Sequence, residues 1–593
     1  MFKDKLSPLT LQLIQLSNNT LSISEKDILA NVLECLFDDI EAGNSCSLLS
    51  KIAMDLELSE NIITSILKQS GLVAFYTNII NLEAKPISYW QTNDGALIYI
   101  SRYFAYEKSI AENIIKLANA PKIVDDNLKQ NIFLQLDKLN IAIDKPNNAQ
   151  LDAIKHSINN RFSVITGGPG TGKTTTVTLL LWALYQLYGD VKVRIAAPTG
   201  KAAKRVSDSI HGSIKDLSEY IDTKCFDGLL VNKDNCSTLH KLLGTNTDNI
   251  YFRHNQDNPL DVEILIVDES SMIGLPLFSK LLNALGSTKL LHIVFLGDKN
   301  QLSSVEEGFV FASLVDLSIN SENTNPQDLF DSNTEIALAS KLTVGKRNSE
   351  IINELANAVL SNEKDVIKVI LEQNNLIQAL ELQNIIEKNF ANENSLANYI
   401  SLMQTTSNIP SKDDLDEIFN KKFIQSINLC MTNTGIFGTE NINLELERKI
   451  RQKYVIHDDW YTGRAIMVLQ NDYINNIFNG DIGICILDET YHPRIYFANG
   501  RSYIPELLPK FTLAYAITIH KSQGSEYDNV NIILPNTKNN DNLANLLNKN
   551  LIYTAITRAK QSLTIFAEMN TVISASGNLV ERNSGLANLI NFN

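Results

Sequence analysis

Cysteine is scarce in this sequence of 593 residues, and its six positions form no metal-binding pattern. No two of them make a Cys-x-x-Cys pair, and no histidine lies at zinc-finger spacing from them. Structural zinc sites and iron–sulfur clusters need closely spaced thiolate or imidazole ligands. We therefore expect neither zinc nor an iron–sulfur cluster, and we expect the thiols to be reduced and buried.

Long apolar runs are also missing, which bears on where the protein works. The longest stretch, at residues 177–188, is interrupted by Gln186 and follows a glycine-rich motif, so it predicts a buried helix and not a membrane span. Residues 1–5 lack the apolar run of a secretory signal. These features indicate a cytoplasmic protein that makes no contact with a membrane.

The sequence has no excess of positive charge. Its 52 Lys and Arg residues face 67 Asp and Glu residues, which gives a formal net charge of −15. Nucleic-acid binding depends on Lys and Arg that displace counterions from phosphates, so this balance alone would argue against it. A local basic track would nevertheless suffice, with the acidic excess on outer faces or opposite a basic partner. Bulk charge therefore leaves the question open, and the motifs must decide it.

The chain is long enough for three or four domains, because a domain typically has about 150 residues. Short apolar strands alternate with helical patterns in its middle part, which predicts a parallel sheet covered on both faces. The expected parts are a helical N-terminal domain at 1–115, an α/β domain at 116–345 with a small insertion at about 206–236, and a second α/β domain at 346–593 with a small β-barrel insertion at about 455–510.

Residues 167–174 read Gly-Gly-Pro-Gly-Thr-Gly-Lys-Thr, which is a complete phosphate-binding loop between a predicted strand and a predicted helix. Its glycines let backbone N–H groups turn towards a phosphate at the N-terminus of the helix. Lys173 would neutralise β- and γ-phosphate oxygens, and the Thr174 hydroxyl would bind Mg²⁺. The predicted ATP contacts of this loop are Gly167, Gly168, Pro169, Gly170, Thr171, Gly172, Lys173 and Thr174.

Further polar residues follow the apolar strands. Asp268 and Glu269 end the strand at 264–267, where Asp268 would hold the hydration shell of Mg²⁺ and Glu269 would orient or deprotonate the attacking water. Gln301 follows the strand at 292–296 and is suited to sense a γ-phosphate, because its amide both donates and accepts. Gln150 precedes the loop and is a candidate partner of the adenine edge.

These motifs resemble those of helicase superfamily one, and further segments resemble its RecD branch. The superfamily motifs are residues 197–203, 268–272, 297–302, 516–526 and 553–560, and the RecD-like segments include 237–244, 429–438, 478–483 and 582–587. The resemblance implies two RecA-like P-loop domains in tandem, with an SH3-like barrel inserted in the second. It also implies a 5′-to-3′ translocase on single-stranded DNA. RecB-like and RecC-like chains would complete an exodeoxyribonuclease V that processes double-strand break ends for recombinational repair.

The resemblance also assigns roles to residues in the second half of the chain. Arg347 and Arg558 would be arginine fingers on the transferring phosphoryl group, although Lys346 stands where the family usually has an aromatic residue. Glu526 would accept from a ribose hydroxyl. The expected DNA contacts are Thr199, Lys201, Thr238 and His240 in the first motor domain, and Thr518, His520, Lys521 and Ser522 in the second.

Two other functions stay open on the sequence alone. One is a stand-alone RecD-like helicase or the helicase part of a conjugative relaxase. The other is a structural subunit whose ATPase has decayed, against which the intact motifs argue. We expect no nuclease site, because the Glu-x-Lys candidates at 83–85 and 447–449 do not follow a strand with a metal-binding aspartate. The N-terminal domain is the expected docking surface for partner chains.

Overall fold

The computed structural model describes most of the chain. The described residues are 6–77, 82–120, 125–143, 146–227, 235–245, 251–285, 289–304, 306–321, 338–342, 349–391, 396–404, 410–472, 474–475, 477–488, 490–536, 541–579 and 582–592. Within these ranges, no helix is long and apolar enough to cross a membrane.

The N-terminal part combines five helices with a four-stranded sheet of order β1-β4-β3-β2. Its expected helical character is therefore incomplete. The segment around Gly95, whose φ is +132°, forms a tight turn that pairs β3 with β4 as an antiparallel hairpin. The elements are α1 (Pro8–Leu16), α2 (Ile23–Glu41), β1 (Ser47–Leu48), α3 (Leu49–Asp55), α4 (Glu60–Gln69), β2 (Val73–Tyr76), β3 (Ile87–Thr92), β4 (Gly95–Ile100) and α5 (Ser101–Ala118).

A six-stranded sheet of order β10-β5-β9-β8-β6-β7 forms the centre of what we call the first lobe. Every strand pair in it is parallel, as the near-continuous apolar strands predict. The elements are α6 (Asp126–Ile143), α7 (Asn148–Asn159), β5 (Phe162–Gly167), α8 (Lys173–Tyr188), β6 (Val193–Ala197), α9 (Gly200–Leu217), β7 (Cys236–Thr238), α10 (Leu239–Leu243), β8 (Ile264–Val267), α11 (Leu275–Ala284), β9 (His292–Gly297), α12 (Val310–Ser321) and β10 (Ala339–Leu342).

A five-stranded parallel sheet of order β11-β20-β19-β12-β18 forms the centre of the second lobe. Helices pack on it around a large apolar core. The elements are α13 (Glu350–Leu360), α14 (Lys364–Gln373), β11 (Ile377–Gln378), α15 (Leu382–Ala391), α16 (Leu396–Gln404), α17 (Lys412–Glu417), β12 (Ser426–Cys430), α18 (Thr439–Tyr454), β18 (Ala516–Thr518), β19 (Tyr527–Ile533), α19 (Asp541–Leu546), α20 (Lys549–Ile556), β20 (Ala559–Phe566), α21 (Met569–Gly577) and α22 (Leu586–Phe592).

Between α18 and β18 the chain forms a separate antiparallel sheet, which we call the insertion sheet. Its strands have the order β16-β15-β14-β13-β17 and pack on a small apolar core of their own. The strands are β13 (Ala465–Val468), β14 (Ile482–Leu487), β15 (Pro493–Phe497), β16 (Ser502–Tyr503) and β17 (Phe511–Leu513). The sheet lies where an insertion was expected, and its closure into an SH3-like barrel stays a prediction.

The last helix, α22, returns to the beginning of the chain. Leu586, Leu589 and Ile590 share an apolar core with β4, α5 and the first parallel sheet. Next to this core, the buried carboxylate of Glu107 accepts hydrogen bonds from the hydroxyls of Ser45 and Ser584. It also accepts from the Tyr99 hydroxyl and from the backbone N–H of Gly585. Segments from both ends of the described chain are thus held at one carboxylate.

Candidate nucleotide site and nucleic-acid cleft

The phosphate-binding loop lies between β5 and α8, as the motif predicts. Gly170 and Gly172 have φ values of +76° and +81°, which L side chains rarely adopt. A Cβ atom on Gly172 would also lie 2.0 Å from Nε2 of Gln150, so the loop requires glycine there. The Thr171 hydroxyl donates to the Gly168 carbonyl at 2.9 Å and closes the turn. The loop thus has the shape that presents backbone N–H groups to a phosphate.

Lys173 and Gln150 both donate hydrogen bonds to backbone carbonyls of the loop. The Lys173 ammonium donates to the carbonyls of Gly167 at 2.5 Å and Gly168 at 3.2 Å. The Gln150 side-chain amide donates to the Thr171 carbonyl at 3.0 Å, while its oxygen accepts from the backbone N–H of Asn147 and caps α7. Gln150 therefore supports the loop in this structure, and its contact with adenine stays a prediction.

Asp268 and Glu269 follow β8 beside the loop. Burial and the charge of Glu269 together raise the pKa of Asp268 to about 6, although the Lys173 ammonium opposes them. Among the described residues, Oδ1 of Asp268 is buried without a hydrogen-bond partner. Glu269 has a left-handed backbone with φ of +51°, a conformation that costs a residue other than glycine free energy. Such strain is typical of a residue whose carboxylate must point into a reaction site.

Asp298, which follows β9, connects the two lobes. It is 2% exposed, and its Oδ2 accepts from the Gln301 amide at 3.2 Å and from the Tyr553 hydroxyl of α20 at 3.0 Å. A Cβ on Gly168 would lie 2.9 Å from the same Tyr553 hydroxyl. Gln301 therefore lies near the phosphate-binding loop, together with a tyrosine from the second lobe that the sequence reasoning did not single out. The contact of Gln301 with a γ-phosphate stays a prediction.

Further hydrogen bonds join the lobes near this point. The backbone N–H of Leu302 donates to the Thr554 hydroxyl at 2.9 Å, and the Gln523 amide donates to the Leu302 carbonyl at 2.8 Å. The Asn550 amide donates to the Asn300 carbonyl at 3.0 Å. The two lobes are therefore in direct contact along the segment that contains Gln301.

Arg558 lies in the interior of the second lobe and is 1% exposed. Its guanidinium donates to the carbonyls of Thr554 and Ser525, both at 3.1 Å. Burial lowers its pKa, and the carboxylates of Glu269 and Glu526 raise it. An arginine of the second lobe thus lies within electrostatic reach of the carboxylate that follows β8, and its role as an arginine finger stays a prediction.

The other predicted arginine finger, Arg347, falls in residues 343–348, outside the described residues. Its role stays a prediction.

Glu526 makes an ion pair with an arginine that the sequence analysis missed. Its Oε1 lies 2.5 Å from Nη2 of Arg205 on α9, and its Oε2 lies 3.9 Å from the Lys560 ammonium. Burial alone would raise the pKa of Glu526, but Arg205, Arg558 and Lys560 hold it at about 2. Its predicted contact with ribose stays a prediction.

The expected DNA contacts of the first lobe lie at the starts of two helices. The Thr199 hydroxyl accepts from the backbone N–H of Ala202 and caps α9, and the Thr238 hydroxyl caps α10 in the same way. The His240 ring packs edge-on against Phe252, and burial lowers its pKa. Lys201 lies in the first turn of α9.

The expected DNA contacts of the second lobe form one short turn after β18. The Thr518 hydroxyl accepts from the backbone N–H of Lys521 at 3.3 Å. Burial lowers the pKa values of His520 and Lys521. The Ser522 hydroxyl is buried and donates to the Ile519 carbonyl, so in this structure it supports the turn. Their contacts with DNA stay predictions.

A cleft of about 2540 Å³ separates the first lobe from the insertion sheet. All four expected DNA contacts of the first lobe line it, and so do further cations and aromatic rings. The lining includes Lys204, Arg205, Lys241, Arg494 and Lys560, together with Phe419, Phe423, Phe478 and Tyr496. The local excess of cations contrasts with the acidic balance of the whole chain.

Comparison with known proteins assigns the chain to a family. Residues 150–307 match the AAA domain family, and residues 513–566 match the UvrD-like helicase C-terminal domain family. The RecBCD enzyme subunit RecD of Haemophilus influenzae is 32% identical over 485 residues, which cover 74% of this chain and 71% of that protein. The chain belongs to the RecD family of helicases. This RecD-family chain is thus an ATP-dependent DNA helicase by membership.

A second RecD relative matches a longer span of the chain. The RecBCD enzyme subunit RecD of Buchnera aphidicola from Schizaphis graminum is 28% identical over 588 residues, covering 92% of this chain and 88% of that protein. A solved structure of the Pif1 helicase from Bacteroides, in complex with ADP-AlF3 and single-stranded DNA, is 18% identical and covers 76% of this chain and 94% of its own. The TM-score of this match is 0.36.

Proposed function

We propose that this RecD-family helicase moves 5′ to 3′ along single-stranded DNA as the α subunit of a cytoplasmic exodeoxyribonuclease V. RecB-like and RecC-like chains would be its partners, and the assembly would unwind and process double-strand break ends for recombinational repair. Both relatives are RecBCD enzyme subunits, which supports these partners. The N-terminal part, which carries no nucleotide motif, is the proposed docking surface.

The single observation that carries the mechanism is the meeting of both lobes at the phosphate-binding loop. Lys173 of the first lobe donates to carbonyls of this loop. The Tyr553 hydroxyl of the second lobe donates to Asp298 and lies next to Gly168 of the same loop. A triphosphate in this position would touch both lobes. Its cleavage would therefore weaken the contact between them, and the lobes would open about the cleft.

Each residue of the loop region has a chemical task in this proposal. Lys173 binds β- and γ-phosphate oxygens, and Glu269 orients or deprotonates the attacking water. Gln301 contacts the γ-phosphate and reports its loss to the second lobe through the hydrogen bonds of the adjoining residues. Arg558 stabilises the negative charge of the transition state, because its guanidinium binds phosphate oxygens bidentately. Arg347 would add a second guanidinium.

The Thr174 hydroxyl and Asp268 fit a resident Mg²⁺ ion. The buried, unpartnered Oδ1 of Asp268 is the kind of oxygen that binds a hard cation directly or through its water shell. When bound, Mg²⁺ neutralises phosphate charge and orients the triphosphate.

DNA would pass between the lobes and the insertion sheet. Hydroxyls, backbone N–H groups and cations at Thr199, Lys201, Thr238 and His240 suit phosphate contacts that ignore base sequence. The second set of contacts would be the turn at 518–522. Since the two sets belong to different lobes, opening and closing would change their spacing and move the strand.

The replacement Lys173→Gln tests the proposed motor. It should abolish ATP hydrolysis stimulated by oligo-dT and leave the unfolding temperature and the co-purification of partner chains unchanged. The matched control is Lys192→Gln, since Lys192 pairs with Asp261 on an exposed face of the same lobe. Normal hydrolysis by the Lys173 variant would refute the site. Unwinding of 3′-tailed and not 5′-tailed duplexes by the wild-type protein would refute the direction.

A further inference from the structure

The first turns of helix α9 line the cleft, and Arg205 on this helix is close enough to Asp268 and Glu269 to be influenced by their charges. The helix begins at Gly200, directly after the capping residue Thr199, and Lys201 lies in its first turn. Arg205 is four residues further along, so it lies on the same face as Lys201, about 6 Å along the helix axis. Both side chains line the cleft.

The second lobe packs directly on this part of α9. A Cβ atom on Gly524 would lie 3.7 Å from the Cβ of Ala202, so the loop that carries Gly524 passes close to the helix. Two residues later, Glu526 makes its 2.5 Å ion pair with Arg205. One residue before, Gln523 donates to the Leu302 carbonyl of the first lobe. This loop therefore contacts both α9 and the segment that contains Gln301.

Arg205 is also within electrostatic reach of the catalytic carboxylates. The carboxylates of Glu526, Glu269 and Asp268 all favour its charged form, against the effect of burial. The partner Glu526 is 9% exposed and stays ionised, because neighbouring cations hold its pKa at about 2. Glu526 in turn neighbours Arg558, whose guanidinium donates to the Ser525 carbonyl. The ion pair thus lies between the start of α9 and the arginine finger.

We propose that Arg205 is a positioning residue that couples DNA binding to ATP hydrolysis through its ion pair with Glu526. DNA bound to Thr199 and Lys201 fixes the start of α9, and Arg205 then holds the loop with Glu526 and Ser525 against the first lobe. That loop carries a hydrogen-bond acceptor of Arg558, so the finger is held towards Glu269 when DNA is present. The inference rests on the proposed function, since it assigns a task to a contact between the two proposed DNA-binding lobes.

The test compares Arg205→Gln with Lys215→Gln, a loss of the same charge at an exposed position near the other end of α9. The kcat and KM for ATP are measured with and without oligo-dT. We expect the stimulated kcat of the Arg205 variant to fall about tenfold, a typical size for coupling between two sites. The KM for ATP should change much less, and Arg205→Lys should restore part of the stimulation. The Lys215 variant should behave as wild type.

A double-mutant cycle with Glu526→Gln separates coupling from independent effects. If the two side chains act as a pair, oligo-dT should stimulate ATP hydrolysis by the double variant at least as much as it stimulates the less responsive of the two single variants. Wild-type stimulation of Arg205→Gln would overturn the inference. So would losses that multiply in the double variant, or an equal loss of the basal and the stimulated rate. A wild-type protein that oligo-dT does not stimulate would instead refute the proposed function, and the coupling with it.

Discussion

The hydrogen bond between Tyr553 and Asp298 is the contact whose removal should best report on closure of the two lobes. The replacement Tyr553→Phe deletes a hydroxyl that donates at 3.0 Å to a carboxylate that is 2% exposed. A hydrogen bond to a charged group typically contributes about 1.5–3 kcal/mol. Asp298 keeps the Gln301 amide and the backbone N–H of Asn300 as donors, so the lower half of this range applies.

The loss should appear in catalysis and not in the stability of either lobe, because donor and acceptor belong to different lobes. A loss of about 1.5–2 kcal/mol corresponds to a decrease in kcat/KM for ATP of about tenfold to thirtyfold. The assay is steady-state ATP hydrolysis in saturating oligo-dT, with thermal unfolding measured in parallel. We expect the unfolding temperature to change little.

The matched control is Tyr188→Phe. The Tyr188 hydroxyl lies 2.9 Å from Nε2 of His292, and both residues belong to the first lobe. Removing it should cost about 1 kcal/mol of stability and leave kcat/KM for ATP unchanged. The reasoning is refuted if Tyr553→Phe hydrolyses ATP with wild-type kcat/KM, or if both replacements affect only the unfolding temperature.

Three further predictions follow from buried or strained groups. Gln150→Glu should weaken ATP binding by about 1–3 kcal/mol, because a carboxylate would face the Thr171 carbonyl to which the amide now donates. Calorimetry measures the binding, and Gln150→Met should lose less binding free energy than Gln150→Glu. Burial lowers the pKa of His292 to about 4 from its usual 6.5, so only the unfolded chain takes up the proton between these values. The free energy of unfolding should therefore fall by about 3 kcal/mol as the pH drops from 6.5 to 4, and His292→Gln, measured by urea unfolding, should remove that part of the pH dependence. Glu269→Gly should abolish ATP hydrolysis. It should also have a free energy of unfolding about 1 kcal/mol higher than that of Glu269→Ala, because glycine adopts the left-handed backbone without strain. Equal stabilities of the two variants would contradict the strain.

The places of the phosphate-binding loop and of the carboxylates that follow it in sequence could be predicted, because their signals are local. The phosphate-binding loop, the carboxylates at 268–269 and Gln301 each come after a short apolar strand, and the structure has β5, β8 and β9 at those strands. Parallel strands bring their carboxyl ends to one edge of a sheet, so the proximity of these residues follows from the pattern alone.

Contacts between the lobes could not be predicted in this way. Arg205 and Glu526 are 321 positions apart in the sequence. In addition, an arginine four residues after Lys201 looks like an ordinary residue of a solvent-exposed helix face. Tyr553 belongs to the motif at 553–560, but the motif does not indicate that its hydroxyl donates to Asp298. The pairing of the N-terminal strands was not predicted either, because the apolar run at 96–100 indicates a strand but does not show that it returns on β3 through the turn at Gly95.

The carboxylate of Glu107 has a consequence for the order in which the molecule is made. A ribosome releases the N-terminal part first, yet Ser584, Gly585 and Leu586 supply two donors and an apolar side chain to its interior. A nascent chain that has emerged only as far as α21 therefore carries an unfinished core and a buried acid short of partners, which costs free energy. The core around Glu107 can therefore be completed only after residues 584–586 have been synthesised. Until then its apolar surface stays exposed, and a chaperone of the holdase type could bind it.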